Sequence, residues 1–525
     1  MNEKNSISLD NIGDQEETEK LISDTNQNNK KTQNETYLNS NYKTKKNPYF
    51  ENKQYQYLDQ IIESLSISKF HWATISVCFF SMMTLGYQSA HYVFCKNQIM
   101  SKYSWTSNSY CLFFIVQKII ESIGAFISVT STTLEWDITS NILIGLISFF
   151  SLIFLMFFNE GPLFIILTLI FSYCGGFVNN ICCNFLLEEF KIKYRELAFL
   201  LVNSGKLFGF LFFGFFEYII YDVLHKENPI ISIVGLIIFQ FFLAFSLCYF
   251  KDSPRLLYYN HQYDELYNYM EYSVNEDIRK YRKNIISKII FTQDKIEKDF
   301  GSQSYNDLIK HFFQLWNEPY YIISLKSVIM LFLSSFLMSN IKDSYSYFLK
   351  DQYLFIYIQD NLPHSRIITY YLCTISIYFI ISFLKYIIDI SRKFLTIFCL
   401  IICILFLVFV NIFEKQYLYF LCVFESFAFF YYVTVYLYFS SFTTTQLRNS
   451  MTSLLYMISS FSSIFQISLM NSMTNFKIFR YLNYLVALLL AFLEVFLLNY
   501  DTGKMKMEEI EILLIYKSKV ANDNN

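Results

Sequence analysis

A lysine and a glutamate, Lys118 and Glu121, stand three residues apart inside the otherwise apolar run at 109–130. At that spacing on a helix they share a face and can pair. Ionisable groups in a membrane-length segment face a partner or a wet cavity, because lipid does not solvate them. Two chemistries fit: a structural ion pair, or a site that binds a solute or takes up a proton. A proton-coupling acid must be neutral in one state and charged in another, and Glu121, one turn from Lys118, is the best-placed carboxyl for that task.

Other polar side chains occupy similar settings. Gln88 and His91, with Tyr87, fall in the run at 72–95; Asn179, Asn180 and Asn184 fall in that at 161–187. Amides in a membrane require partners, supplied by a neighbouring helix or by a solute. Glu425, Tyr432 and Tyr436, with Tyr431 and Tyr438, lie at 416–441, where rings four apart form one wall of a pocket or simply pack among the 43 tyrosines of the chain. Lys206, Glu217, Lys326 and Glu494 also sit in apolar runs, and several of them can reach the interface by snorkelling.

The eleven cysteines include no CxxC pair and no nearby histidine cluster, so neither a metal nor a cofactor is expected. Cys95 and Cys111 flank a short loop; two small apolar residues at helix ends are the favoured reading over a disulfide. No His, Asp and Cys constellation sits near a span end, so an enzyme is not expected.

These residues have to be positioned by membrane helices. The 525 residues are 54% hydrophobic and 16% charged, whereas soluble domains are about a quarter charged. Runs of the length that crosses a bilayer, about 20 residues, recur at 72–95, 109–130, 139–158, 161–187, 196–221, 230–250, 320–340, 367–388, 394–413, 416–441, 449–471 and 480–500. The fold class is therefore all-α: a polytopic membrane protein of twelve transmembrane helices in two six-helix bundles, 66–250 and 319–500.

A polar segment, 251–318, separates the bundles and holds the densest basic cluster, Arg255, Arg279, Lys280, Arg282, Lys283, Lys288, Lys295, Lys298 and Lys310. Basic loops stay in the cytosol, and an even number of spans puts both termini there too. The tail at 1–65 is rich in Asn, Lys, Glu, Thr and Gln and reads as disordered, without a signal peptide; a second tail covers 501–525. A net charge of −2 with no basic face excludes a nucleic-acid role. The expected partners are a lipid bilayer and a small-molecule substrate, with the protein a monomer. Acid-dileucine patterns at 17–22 (ETEKLI) and 509–514 (EIEILL) leave plasma and endolysosomal or vacuolar membranes both open.

After the sixth run stands KDSPRLLYYNHQYDEL (251–266). It resembles the PESPRWLL signature of sugar and organic-ion porters of the major facilitator superfamily, matching at Asp252, Ser253, Pro254, Arg255 and Leu257. Asp252 and Ser253 are placed to cap the next helix and Pro254 to enter its first turn. EEFKIKYRE (188–196) is similar to the family's EF.P.K.RG, with Glu188 or Glu189 as its acid and Arg195 as its base. TTTQLRNSMTSLLYMISSFSSI (443–464) resembles a run of the organic cation and synaptic-vesicle-glycoprotein branch, keeping Thr445, Arg448, Asn449 and Ile464 in register. NYDTGKMKMEEIE (499–511) and SISKFHWATISVCFF (66–80) resemble that branch's closing and opening motifs.

The resemblance implies a major facilitator fold that moves a small organic solute by alternating access, driven by a proton gradient or by facilitated diffusion. It implies a cavity lined by the first, fourth, seventh and tenth helices. It also implies a cytosolic gate, for which Glu188, Glu189, Arg195, Asp252, Arg255, Asp389, Arg392 and Arg448 are the candidates. The sequence departs from the pattern in places. IGAFISVTSTTLEWDI (123–138) lacks the family's basic loop residues, YIIDISRKFL (386–395) lacks its glycine, Ser441 replaces an expected acid, and Ser463 falls where organic cation transporters keep a carboxylate. Cation recognition is thus not expected, and a non-transporting sensor or scaffold is the alternative. With no glycine between Gly301 and Gly503, helix contacts in the second bundle must use Ser, Thr and Ala.

Overall fold

The computed structural model describes residues 69–131, 137–158, 160–223, 231–247, 253–254, 257, 262–272, 312–317, 320–348, 364–388, 391–412, 417–443, 445–472 and 476–497. The tail at 1–65, the patterns at 17–22 and 509–514 and most of 251–318 lie outside them.

Each apolar run forms a helix, since a helix satisfies every backbone polar group within its own segment, as lipid requires. The first bundle comprises α1 (Lys69–Phe94), the short α2 (Lys96–Tyr103), α3 (Ser107–Ser131), α4 (Asp137–Phe157), α5 (Gly161–Glu189), α6 (Ile192–Glu217, prolonged by a π-helical turn over Tyr218–Val223) and α7 (Ile233–Leu247). The short α8 (Tyr263–Tyr272) belongs to the central segment. The second bundle comprises α9 (Tyr321–Phe348), α10 (His364–Ile388), α11 (Arg392–Ile412), α12 (Tyr417–Ser440), α13 (Thr445–Ser472) and α14 (Phe476–Leu497).

Among the described residues, eight helices are long and apolar enough to cross a membrane, and three shorter apolar stretches lie at Asn141–Phe157, Ile233–Leu247 and Leu482–Glu494. The outer faces carry Phe150 and Phe154 on α4 and Ile380, Phe383 and Leu384 on α10. A soluble surface does not display apolar side chains so densely. Two details differ from the sequence expectation: α9 runs on to Phe348 rather than stopping near 340, and the loop at 96–108 contains α2. Cys95 and Cys111 are both free thiols.

The two bundles bring their helices together by different means. In the first, glycines allow backbone to meet backbone: a Cβ at Gly86 would lie 2.1 Å from the Lys206 carbonyl oxygen, and one at Gly176 would lie 1.9 Å from that of Glu121. These contacts clamp α1 to α6 and α3 to α5. In the glycine-free second bundle, hydroxyls reach across instead. Ser335 and Ser459 bond at 2.9 Å and Ser462 donates to the Phe332 carbonyl at 2.8 Å, joining α9 to α13. Ser426 donates to the Thr374 carbonyl at 3.0 Å, joining α12 to α10. Each bond satisfies both groups without exposing either to lipid.

Candidate functional site

Between the two sets of helices lies a cavity of about 80 Å³. Its apolar wall includes Met82, Leu85 and Val93 of α1, Phe114 of α3, Met338 of α9 and Phe429 of α12. Its polar wall includes Lys118 and Glu121 of α3, Asn203 and Lys206 of α6, Tyr432 and Tyr436 of α12, and Tyr456, Ser459, Ser460 and Ser463 of α13. Lys118 Nζ lies 2.8 Å from Glu121 Oε2 and 5.7 Å from the Phe114 ring centre. The other Glu121 oxygen accepts a hydrogen bond from the Tyr456 hydroxyl, which comes from the opposite bundle. Tyr432 shares a 3.0 Å hydrogen bond with Ser459, and its ring centre lies 6.4 Å from that of Tyr436. The cavity is thus rich in groups that both donate and accept.

One end of the cavity is closed by polar contacts between the bundles. Arg448 of α13 is fully buried, with Nη1 3.2 Å from Glu188 Oε1 of α5. Ser253 of the central segment donates to the other Glu188 oxygen at 2.7 Å. Asn184 donates to Asn449 and accepts from Thr452 Oγ1 at 2.8 Å. Glu196 of α6 lies 3.3 Å from Arg392 Nε and 3.6 Å from Lys385 Nζ; the Arg392 approach is an ion pair without hydrogen-bond geometry. The Tyr378 hydroxyl donates to the Leu200 carbonyl at 2.9 Å.

The central segment docks on the same end. Tyr269 of α8 donates to Glu189 Oε1 at 2.5 Å, and its ring stacks on Phe70 with centres 5.5 Å apart. Burial, and then the adjacent Glu189 carboxylate, pushes the Tyr269 phenol well above its usual range, so it remains a protonated donor.

The Major Facilitator Superfamily sequence model matches residues 138–466, more than half of the chain. The chain belongs to the major facilitator superfamily. Solved structures agree on the fold. The proton:xylose symporter XylE bound to 6-bromo-6-deoxy-D-glucose aligns with a TM-score of 0.66 and 14% identity over 85% of this chain and 99% of that one. XylE from E. coli in a partially occluded inward-open conformation gives 0.61 and 12% over 82% and 100%; its inward-open form gives 0.59 and 12% over 84% and 99%. No curated protein matches the chain by sequence. As a member of this superfamily the protein is a multi-pass transmembrane transporter.

Within the facilitator fold, the polar residues singled out from sequence separate into several groups. Lys118, Glu121, Tyr432 and Tyr436 line the central cavity. Gln88 and Asn179 instead border a cavity of about 10 Å³ inside the first bundle, where Gln88 donates to Ser172 at 2.9 Å and Asn179 accepts from Ser81 at 2.8 Å. His91 packs edge-on to Tyr92 and Phe213, and Asn180 joins α5 to α3 through Ser128 at 2.7 Å. Asn184 serves the closed end. Glu425 accepts from Tyr370 at 2.5 Å within the second bundle.

Glu217 and Glu494 do not snorkel. Both are buried and accept hydrogen bonds, from Ser232 and Tyr431 respectively. Ser253 donates its hydroxyl to Glu188. Arg195 is buried at the closed end, while the side chains of Asp252, Arg255 and Asp389 lie outside the described residues. Nor is the cavity confined to the first, fourth, seventh and tenth long helices, for α3, α6 and α13 also line it.

Sequence reasoning passed over Tyr456 and Glu196. Tyr456 stands eight residues after Arg448 on the same face of α13, and that register was the signal available.

Proposed function

We propose that this transporter moves a small hydroxylated solute by alternating access, binding it in the central cavity and using the Arg448 end as its cytosolic gate. The observation that carries the reading is the pairing of a polar cavity between the bundles with ionic contacts that join those bundles at one end only a few turns away. Opening that end means breaking Arg448 from Glu188 and Arg392 and Lys385 from Glu196, which is a rocking of one bundle against the other. The substrate class follows from the lining. Lys118 and Glu121 largely satisfy one another, and around them stand tyrosine and serine hydroxyls suited to a polyol or sugar. The similar structures are described as carrying xylose or holding a halogenated glucose, both polyhydroxy compounds.

The test is uptake into vesicles containing the purified protein, using radiolabelled D-xylose, D-glucose and a linear polyol beside a sugar acid and an amine. Saturable uptake of a neutral hydroxylated compound supports the reading; uptake of the charged compounds alone, or of none, overturns it. Binding without uptake would instead favour the sensor. Where an imposed proton gradient drives accumulation, Glu121→Gln should abolish the uphill component and leave exchange across the membrane intact, since exchange moves no net proton. Survival of uphill uptake in that variant removes Glu121 from the coupling role.

A further inference from the structure

One face of α13 carries Arg448, Thr452 and Tyr456 at i, i+4 and i+8, and each of the three reaches the first bundle. Arg448 meets Glu188, Thr452 donates to Asn184 at 2.8 Å, and Tyr456 donates to Glu121. The first two contacts form the closed end. The third lies inside the cavity, one turn before Ser459, Ser460 and Ser463, where a solute would sit. A hydroxyl donor to a carboxylate, held in a site that accepts hydroxylated solutes, occupies the position a substrate hydroxyl would take.

We propose that Glu121 is the substrate's anchoring acceptor and that Tyr456 is its place-holder from the opposite bundle, displaced when a solute hydroxyl bonds to Glu121. This builds on the hydroxylated-solute reading above and adds a role for one residue. The Tyr456 bond ties α13 to α3 and completes the ladder of three contacts. A bound solute removes the uppermost rung and leaves Arg448 and Thr452 to hold the end alone. Occupancy then shifts the balance between closed and open conformers, because the ligand has different contacts in each. Tyr456 is a positioning residue in this scheme: it competes for the acceptor and never carries the solute.

The consequence is opposite to that of an ordinary binding residue. Removing a competitor strengthens binding, while removing a rung that occupancy should control uncouples binding from movement. Tyr456→Phe deletes one oxygen and keeps the ring, so it preserves packing. It should lower KM for the transported member of the panel about ten-fold, the ratio one hydrogen bond to a charged group supports, and lower kcat. Glu121→Gln should raise KM.

A second readout needs no substrate. Cys183 lines the cavity, and its modification by N-ethylmaleimide, quantified on the peptide by mass spectrometry, should be several-fold faster in Tyr456→Phe than in the unliganded wild type. In the wild type, a transported solute should likewise change that rate, and in Tyr456→Phe it should change it much less. A raised KM in Tyr456→Phe would make Tyr456 a simple binding residue, and an unchanged Cys183 rate would show that the rung holds nothing; either result overturns the proposal. If no panel member is carried, the substrate class has failed, and the Cys183 comparison still decides whether the rung exists.

Discussion

Arg448 is among the largest fully buried side chains of the described protein, and its guanidinium touches Glu188 at 3.2 Å and the Thr443 carbonyl at 3.4 Å. A buried pair is weak evidence for stability but is costly to break on one side, since the remaining charge is left without a counterpart. Arg448→Ala and Glu188→Gln should each cost about 3–5 kcal/mol, by that reasoning, seen as a lower melting temperature of the detergent-purified protein. The double replacement Glu188→Leu with Arg448→Met should recover most of the loss, because it leaves no orphaned charge. Arg448→Ala should also make Cys183 more accessible to a membrane-impermeant thiol reagent from the cytosolic side. Unchanged accessibility would remove the pair from the gate.

Helix contacts offer a sharper test at the scale of elements. A Cβ at Gly176 meets the Glu121 carbonyl oxygen at 1.9 Å, backbone against backbone, so α3 has to move off α5. Gly176→Ala should therefore destabilise by about 1–3 kcal/mol, the usual cost of overpacking, and reduce uptake with it, because the displaced residue lies in the cavity. Its neighbour Gly175 has no atom within 4 Å of the corresponding position. Gly175→Ala should be neutral or stabilising by up to about 1 kcal/mol from helix propensity. The reverse order would mean that α3 and α5 do not touch there.

The latch of α8 onto α5 is a second element with its own signature. Tyr269 has a folded-state pKa raised above the usual 10.0, so the stability it contributes is complete below about pH 10 and is lost as pH rises above that value towards the folded pKa. Wild type should loosen in alkali, measured as proteolysis of the central segment. Tyr269→Phe should be looser at neutral pH and lack that alkaline step.

For the whole molecule, the arrangement of the two bundles fixes which surfaces share a side. Ser253 and Tyr269 of the central segment contact Glu188 and Glu189, so the segment and the Arg448 end share one face of the membrane. We propose that this face is cytosolic, since the basic residues between 251 and 318 follow the positive-inside tendency. A cysteine introduced at position 283 should therefore react with an impermeant maleimide only after permeabilisation. Reaction in intact cells would invert the topology, and with it the assignment of the Arg448 end as the inward gate.

Sequence alone determined the features that depend on local spacing. The twelve apolar runs became helices because hydropathy over about 20 residues already decides whether a segment crosses lipid. Lys118 meets Glu121 because three residues along a helix put two side chains together whatever surrounds them. Reliance on serine and threonine in the second bundle was legible from the missing glycines, and Ser335, Ser426 and Ser459 bear it out.

Tertiary structure decided where the polar faces of those helices point. Gln88, Asn180 and Glu425 look no different in sequence from cavity residues, yet each makes a hydrogen bond to a neighbour in its own bundle. Tyr456 meets Glu121 across 335 residues of chain. Helix rotation is set by which small residues let two backbones approach, so the fate of a buried polar group depends on a partner far away in sequence, and periodicity within one helix does not contain it.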